Sequence, residues 1–231
     1  MVSLNVSVKK FEKEGSNFKG TVNVTMGGAF AIHGLKLYKN GDNFSLAMPS
    51  RETSKLDEYG KPVYEDIIIP RSKEAYDILL VSAVNAYNSE NSKFEFLDDV
   101  EPQPIAITKV SAGVVDKSDS KTVGLAQVVL NDLICIKNVR LVKTVKDDKE
   151  EVFVSLPSKK TDDGWKDICN PITRLFRETL NNNILEAYNE AKELKAKAED
   201  EQIVNEEIRD DGFTEISEEE FMEMQRNSMS R

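Results

Sequence analysis

The feature that most constrains the fold is an internal repeat. Residues 45–53 (SLAMPSRET) match residues 153–161 (FVSLPSKKT), and Ala-Tyr-Asn at 86–88 recurs at 187–189. The spacing from the preceding proline to this tripeptide is the same in both places, whereas the loops between the matched segments differ in length. Self-similarity of this kind indicates two copies of one structural unit, with insertions confined to surface connections.

Within each copy, apolar residues first alternate with polar ones and then recur every three to four positions. The alternation predicts four strands, of which the third changes phase at His33-Gly34 in one copy and at Lys137-Asn138 in the other. Such a shift indicates a β-bulge. The helical period begins after Pro70 and after Pro171. We therefore predict an α+β fold of two tandem repeats, each a four-stranded antiparallel sheet followed by one helix.

Each predicted sheet has one helix to cover it, so a second face or an edge is left free for pairing. A tandem copy supplies a partner at an effective concentration on the order of mM. We therefore expect the repeats to pair as a pseudo-dimer within the chain, with further oligomerisation left open.

Charge divides the chain into four segments. The repeats are predicted at 1–90 and 105–196, an acidic, proline-containing linker at 91–104, and an acidic tail at 197–231. The formal net charge is −10, from 41 acidic and 31 basic residues, and most of the excess lies in the linker and tail. The tail is predicted to be disordered and flexible, because its composition buries too little apolar surface to offset ordering. A capping-box pattern at Ser217 and Glu220 leaves open a short helix that docks on a protein partner.

Several classes of protein are not expected. No apolar run approaches the roughly 18 residues of a membrane span, and no secretory signal precedes the first strand, so we expect a cytoplasmic protein without membrane contact. Cys135 and Cys169 lack metal-site spacing and are interpreted as small apolar core residues. His33, the single histidine, is interpreted as a surface strand residue. We expect no enzyme activity, catalytic residue, metal or cofactor.

The bulged strand, the Met-Pro-Ser motif with its basic pair and threonine, the later Asp-Ile, the proline and a helix ending near tyrosine form a recognisable set. Together they resemble the stage V sporulation protein G (SpoVG) family of septation and sporulation regulators. The resemblance covers residues 4–88 and 105–189. Members are single-domain proteins that form dimers through their sheets and bind DNA or RNA. The resemblance therefore implies a fused dimer that acts as a DNA- or RNA-binding regulator.

The resemblance also implies a nucleic-acid site that is stronger in repeat 2. The family's basic pair falls on Lys159 and Lys160 there, but on Arg51 and Glu52 in repeat 1. Cations on a loop and at a helix start, together with helix amides, could hold phosphates. The predicted nucleic-acid-binding residues are Lys159, Lys160, Arg174, Arg177, Arg51 and Lys73.

Two alternatives stay open at this point. The same residues could be ordinary solvated charges, and the chain could instead be a protein–protein interaction module that uses its sheet or acidic tail and binds no nucleic acid. Trp165 corresponds in position to Tyr64, and for this pair we predict core packing before base stacking.

Overall fold

A computed structural model describes residues 1–96, 103–118, 120–146 and 149–210. Repeat 1 contains a four-stranded meander, a two-stranded hairpin, a short strand, a helix and an edge strand. In chain order these are β1 (Leu4–Lys10), β2 (Phe18–Met26), β3 (Phe30–Asn40), β4 (Asn43–Ala47), β5 (Ser50–Leu56), β6 (Pro62–Asp66), β7 (Ile68–Pro70), α1 (Lys73–Asn88) and β8 (Lys93–Phe96).

Repeat 2 follows the same order without the final edge strand. Its elements are β9 (Ile107–Val114), β10 (Thr122–Leu130), β11 (Ile134–Lys146), β12 (Lys149–Ser155), β13 (Ser158–Thr161), β14 (Gly164–Asp167), β15 (Cys169–Pro171) and α2 (Arg174–Asp210). The prediction of four strands and one helix per repeat was therefore incomplete. The hairpins and the three-residue strands were missed because they are short and carry no apolar alternation.

The short strands exchange between the repeats. Strand β7 of repeat 1 pairs with β11 of repeat 2, with Ile68 opposite Ile136. In return, β15 of repeat 2 pairs with β3 of repeat 1, with Cys169 opposite Ile32. The first sheet has the order β15-β3-β2-β1-β8 with β4 also on β3, and the second has the order β12-β11-β10-β9 with β7 also on β11. Each repeat thus completes the sheet of the other.

The predicted bulges are present in β3 and β11. Val22 pairs with Leu35 and Val24 with Ile32, so Asn23 of β2 faces both His33 and Gly34. The equivalent register shift lies opposite Lys137 and Asn138 in β11. In both strands the exchanged strand pairs before the bulge, and the following strand of the same repeat pairs after it. Because a bulge twists and bends its strand, it marks the point where each long strand changes partners.

One hydrophobic cluster spans both repeats, and residues Met1–Ala191 form one compact unit, distinct from a second unit that begins at Lys192. Phe30 of β3 contacts Phe176 of α2 edge-on, with ring centroids 6.0 Å apart. Fully burying a side chain of this size contributes roughly 1.5–3 kcal/mol. The expected internal pairing therefore takes the form of exchanged strands and a shared core.

Two of the predicted boundaries need correction. Lys93–Phe96, placed in the linker, forms β8 and pairs with β1, because Phe94 and Phe96 alternate with exposed charges and are half-buried. Helix α2 continues past residue 197 to Asp210, and the predicted boundary falls within a run of Ala, Lys, Glu and Leu at 191–199 that favours helix. The prediction of a disordered tail is thus wrong for 197–210. The remainder of the linker at 97–102 and the tail at 211–231, including the capping-box pattern, lie outside the described residues.

Within the described part of the chain, no helix has the length and apolar character needed to cross a bilayer.

Candidate nucleic-acid interface

The two lysines of the predicted basic pair lie in a strand of a hairpin, where the sequence had suggested a loop. Strands β13 and β14 pair with Lys159 opposite Lys166 and Lys160 opposite Trp165. Strand β14 begins directly after the turn at Gly164, whose φ of +112° is a conformation that few residues other than glycine adopt. The hairpin pairs with no third strand among the described residues, so its polar groups are available to a ligand.

Successive side chains of a strand point to opposite faces, which sorts the hairpin into two faces. Lys159 and Lys166 share one face, and Lys160 and Trp165 share the other. The Lys159 face turns towards repeat 1, because its Nζ lies 3.2 Å from the position that a Cβ on Gly34 would take. The face with Lys160 and Trp165 therefore points away from the bulge.

The equivalent hairpin of repeat 1, β5–β6, is closed by ion pairs. Arg51 lies opposite Glu65, with Nη2 3.3 Å from Oε2. The other oxygen of the same carboxylate lies 3.8 Å from Nζ of Lys137, which belongs to the bulge of repeat 2. One acid therefore sits between two cations at this end of the pseudo-dimer.

The bulge of repeat 1 has a different electrostatic environment. Lys166 occupies the position that corresponds to Glu65, so two lysines face each other across β13–β14. Lys166 pairs with Asp163 near the turn, at 2.9 Å, whereas Lys159 and Lys160 have no ion pair among the described residues. Like charges directly opposite each other destabilise a strand pair by roughly 0.2–1 kcal/mol. A bound anion would relieve this repulsion.

The predicted arginines lie at the start of α2 and already have partners within the protein. Nε of Arg174 is 2.7 Å from a carboxylate oxygen of Glu178, and Nη2 of Arg177 donates to the carbonyl of Pro171 at 3.0 Å. Arg174 remains accessible, with 91% of its side chain exposed. We conclude that Arg177 anchors β15 through this hydrogen bond, and that both arginines are exposed at the helix start, Arg174 beside the carboxylate of Glu178.

The start of α1, where the predicted residue Lys73 lies exposed, is less suited to an anion. Glu74 is in its first turn, and hydrogen bonds from its own backbone amide and from the Ser72 hydroxyl lower the pKa of this carboxyl. The first turn of α2 contains no acidic residue. Because helix N-termini attract anions, the acid-free start of α2 is the better phosphate site.

The predicted residues are thus divided among separate places. Pro171, just before α2, lies opposite Phe30 of β3, whereas Lys159 reaches Gly34, four residues further along the same strand. That distance is roughly 13 Å at the rise of a β-strand. The lysine hairpin and the start of α2 form two basic positions flanking the exchanged strand β15, while Arg51 and Lys73 lie on equivalent elements of repeat 1.

The sequence analysis missed or misplaced three residues of the two hairpins. Trp165 and Tyr64 were predicted to pack in the core, but their exposed fractions are 70% and 62%. Lys166 was not identified at all. An Asp-Gly step between two short segments is a strong hairpin signal, and residues 163–164 carry it. Recognising that signal would have placed Trp165 and Lys166 on the return strand.

The remaining candidates are structural. His33 Nε2 lies 2.8 Å from Oδ1 of Asn170 and so links the bulge of repeat 1 to β15; it is half-buried and not simply a surface residue. Both cysteines are buried, as predicted for core residues. Burial, and secondarily the charge of Asp167, raises the pKa of the Cys169 thiol, which keeps it protonated. Among the described residues, no group of three metal-binding side chains occurs.

Comparison with known proteins gives a consistent family match. The SpoVG family model matches residues 1–89 and again residues 105–190. A septation protein SpoVG from Heliobacterium modesticaldum is 34% identical over 87 residues, which are 38% of this chain and 90% of that protein. The septation protein SpoVG of Borreliella afzelii is 33% identical over 85 residues, which are 36% of this chain and 80% of that protein. No solved structure matches the chain.

Proposed function

The chain belongs to the SpoVG family, as two tandem copies of its domain, and on this premise we propose that it is a regulatory protein that binds the backbone of DNA or RNA through repeat 2. The observation that carries the proposal is the lysine hairpin. Lys159 and Lys166 face each other on one face, Lys160 lies on the other, and no carboxylate occupies the position that Glu65 has in repeat 1.

Lys159 and Lys160, which have no ion pair among the described residues, provide point charges for phosphate oxygens, and Lys166 adds a third ammonium group that is paired with Asp163. Binding would release counterions condensed on the nucleic acid, which gives affinity without reading the sequence. The acid-free N-terminus of α2, with Arg174 exposed beside it, supplies a second backbone contact. Most of the net charge of −10 comes from the linker and the C-terminal tail. The hairpin itself also contains Asp162, Asp163 and Asp167, and Asp163 pairs with Lys166, so Lys159 and Lys160 are the cations that it offers to a phosphate.

The proposed site is one-sided although the fold is pseudo-symmetric. At the other end of the pseudo-dimer, Glu65 lies between Arg51 and Lys137 and offsets part of their charge, and Glu74 occupies the first turn of α1. A phosphate approaching there would have to displace a carboxylate. We therefore expect one nucleic-acid segment to bind per chain.

The test is a salt series with the full chain and a matched pair of variants. Binding to duplex DNA, single-stranded DNA and RNA is followed by fluorescence anisotropy between 50 and 200 mM salt. Lys159→Gln with Lys160→Gln should reduce the slope of log K against log salt by up to about 0.9 per lost contact for duplex and about 0.7 for single strands.

The control replaces two exposed lysines of the other hairpin, Lys55→Gln with Lys61→Gln, and makes the same change in net charge. It should leave the slope close to that of the unmodified chain. Equal effects of the two variants would show that overall charge, and not the hairpin, governs binding. If the unmodified chain binds none of the three nucleic acids at 50 mM salt, the proposal fails and the protein-interaction alternative gains support.

A further inference from the structure

Trp165 is the only tryptophan of the chain, and its exposed side chain contributes little to the packing of the core. Its side chain is 70% exposed on β14. Tryptophan has a large apolar surface and is usually well buried in a folded protein. No other large apolar side chain of the β13–β14 hairpin is exposed, so this indole is not part of an extended apolar patch.

The residue that faces Trp165 across the hairpin is a cation, and Asp167 lies two residues further along the same strand. Lys160 lies directly opposite it across the two strands and on the same face, where the two Cβ atoms are roughly 4.5–5.5 Å apart. Lys159 and Lys166 occupy the other face of the same hairpin. An aromatic plane beside ammonium groups is the combination that proteins use to hold single strands, the ring stacking on a base while the cations contact its phosphates.

Repeat 1 shows how the same fold looks without this combination. There the exposed aromatic is Tyr64, and the residue opposite it is Glu52. A carboxylate at this position repels a phosphate backbone, so stacking on Tyr64 would bring like charges together. At this position of the two hairpins, the aromatic faces a cation in repeat 2 and a carboxylate in repeat 1.

Protein partners suit this surface less well. Protein interfaces have an apolar core depleted in charged residues, particularly lysine. The hairpin instead offers one isolated indole that faces Lys160, within a hairpin whose other exposed residues are charged. A base has a flat face that an isolated indole can cover, and the adjacent phosphates match the lysines.

From this geometry we infer that Trp165 stacks on an unpaired base and makes single-stranded nucleic acid the preferred ligand of the hairpin. The inference rests on the proposed function and adds the ligand class to it. Duplex bases are already stacked on their neighbours and cannot reach the indole unless they leave the helix. Duplex DNA would therefore contact the lysines alone.

The fluorescence of the unique tryptophan provides a direct test. The full chain is titrated at 50 mM salt with a 20-nucleotide oligothymidylate and with a duplex of the same length. Stacking should quench the emission to a saturating level with oligothymidylate, and the duplex should produce less quenching at saturation. Because the side chain is exposed, its replacement should leave the circular dichroism spectrum and thermal midpoint unchanged.

Variants separate stacking from charge. Trp165→Ala should weaken oligothymidylate binding by roughly 5- to 150-fold, the range measured for loss of one stacked base, and leave duplex affinity unchanged. Trp165→Phe should keep most of the affinity. The matched control, Tyr64→Ala, should change neither.

The outcomes distinguish this inference from the proposal beneath it. If Trp165→Ala leaves oligothymidylate binding intact, or weakens single-stranded and duplex binding equally, stacking is refuted. The proposed function would then still stand if Lys159→Gln with Lys160→Gln reduced binding. If the unmodified chain binds neither probe, the inference is refuted, and the proposed function is refuted as well if RNA also fails to bind at 50 mM salt.

Discussion

Replacing Ile68 by alanine tests whether the two repeats fold as one unit. Ile68 lies in β7 of repeat 1, is completely buried, and pairs with Ile136 in the sheet of repeat 2. Truncating a buried isoleucine to alanine costs roughly 2–5 kcal/mol, the lost transfer free energy plus the cavity. That is a large part of a typical total stability of about 5–15 kcal/mol.

Because Ile68 lies in an exchanged strand, its truncation should lower the stability of the sheet to which that strand belongs. The cavity opens in the sheet of repeat 2, although the substitution is in repeat 1. If the shared core makes residues 1–191 cooperative, urea unfolding followed by circular dichroism should remain a single transition. Its midpoint should fall by roughly 1 M, given a slope of about 3 kcal/mol per M for a unit of this size. Amide exchange should accelerate in β3 and β11 together.

Val81→Ala is the matched control, because Val81 lies on α1 with 54% of its side chain exposed. Its effect should stay within about 0.5 kcal/mol. Two separate urea transitions, or normal amide protection in β3 while β11 loses protection, would refute the coupling. Either result would mean that the two sheets unfold independently.

Two further predictions concern the interface and the bulges. Glu65→Gln should remove the ion pairs of Arg51 and Lys137, raise nucleic-acid affinity and increase the salt slope by roughly one to two units. It should cost at most about 1 kcal/mol of stability. An unchanged slope in the anisotropy series would show that Glu65 does not keep these two cations from binding phosphate. Gly34→Ala should destabilise by about 1–2 kcal/mol, because φ is +80°, whereas Asn138→Gly at φ +59° should be neutral or slightly stabilising. Thermal unfolding measures both bulge variants, and a neutral Gly34→Ala would contradict the account of the bulge.

The sequence predicted those parts of the fold that follow from local periodicity. Strands β1 to β3 and their counterparts have alternating apolar residues, and the helices follow their prolines. The bulges could be located because the apolar alternation shifts by one residue within the strand. Without an extra residue, the apolar side chains after the shift would point to solvent, and a β-bulge supplies that residue. The internal repeat indicated that the two copies have the same order of strands and helix.

The candidate site was predicted in part. The basic pair, Lys159 and Lys160, was identified from its motif, and the weaker repeat 1 was recognised from Glu52. Trp165 was misplaced because aromatic residues are more often buried than exposed. Whether a hairpin packs on a core or projects from it depends on neighbours that are distant in sequence, and local patterns do not contain that information.

Sequence by itself determined the residue types, the two-fold repetition and the locations of the charges. Only the tertiary structure decided that β7 and β15 cross to the opposite repeat, that Glu65 lies between Arg51 and Lys137, and that Lys159 faces Lys166 without such an acid. The physical reason is that three-residue strands have no periodicity of their own. Their partners are selected by sheet edges and core packing far along the chain. Those contacts place an acid between two cations at one end of the nearly symmetric fold and leave two lysines facing each other at the other end.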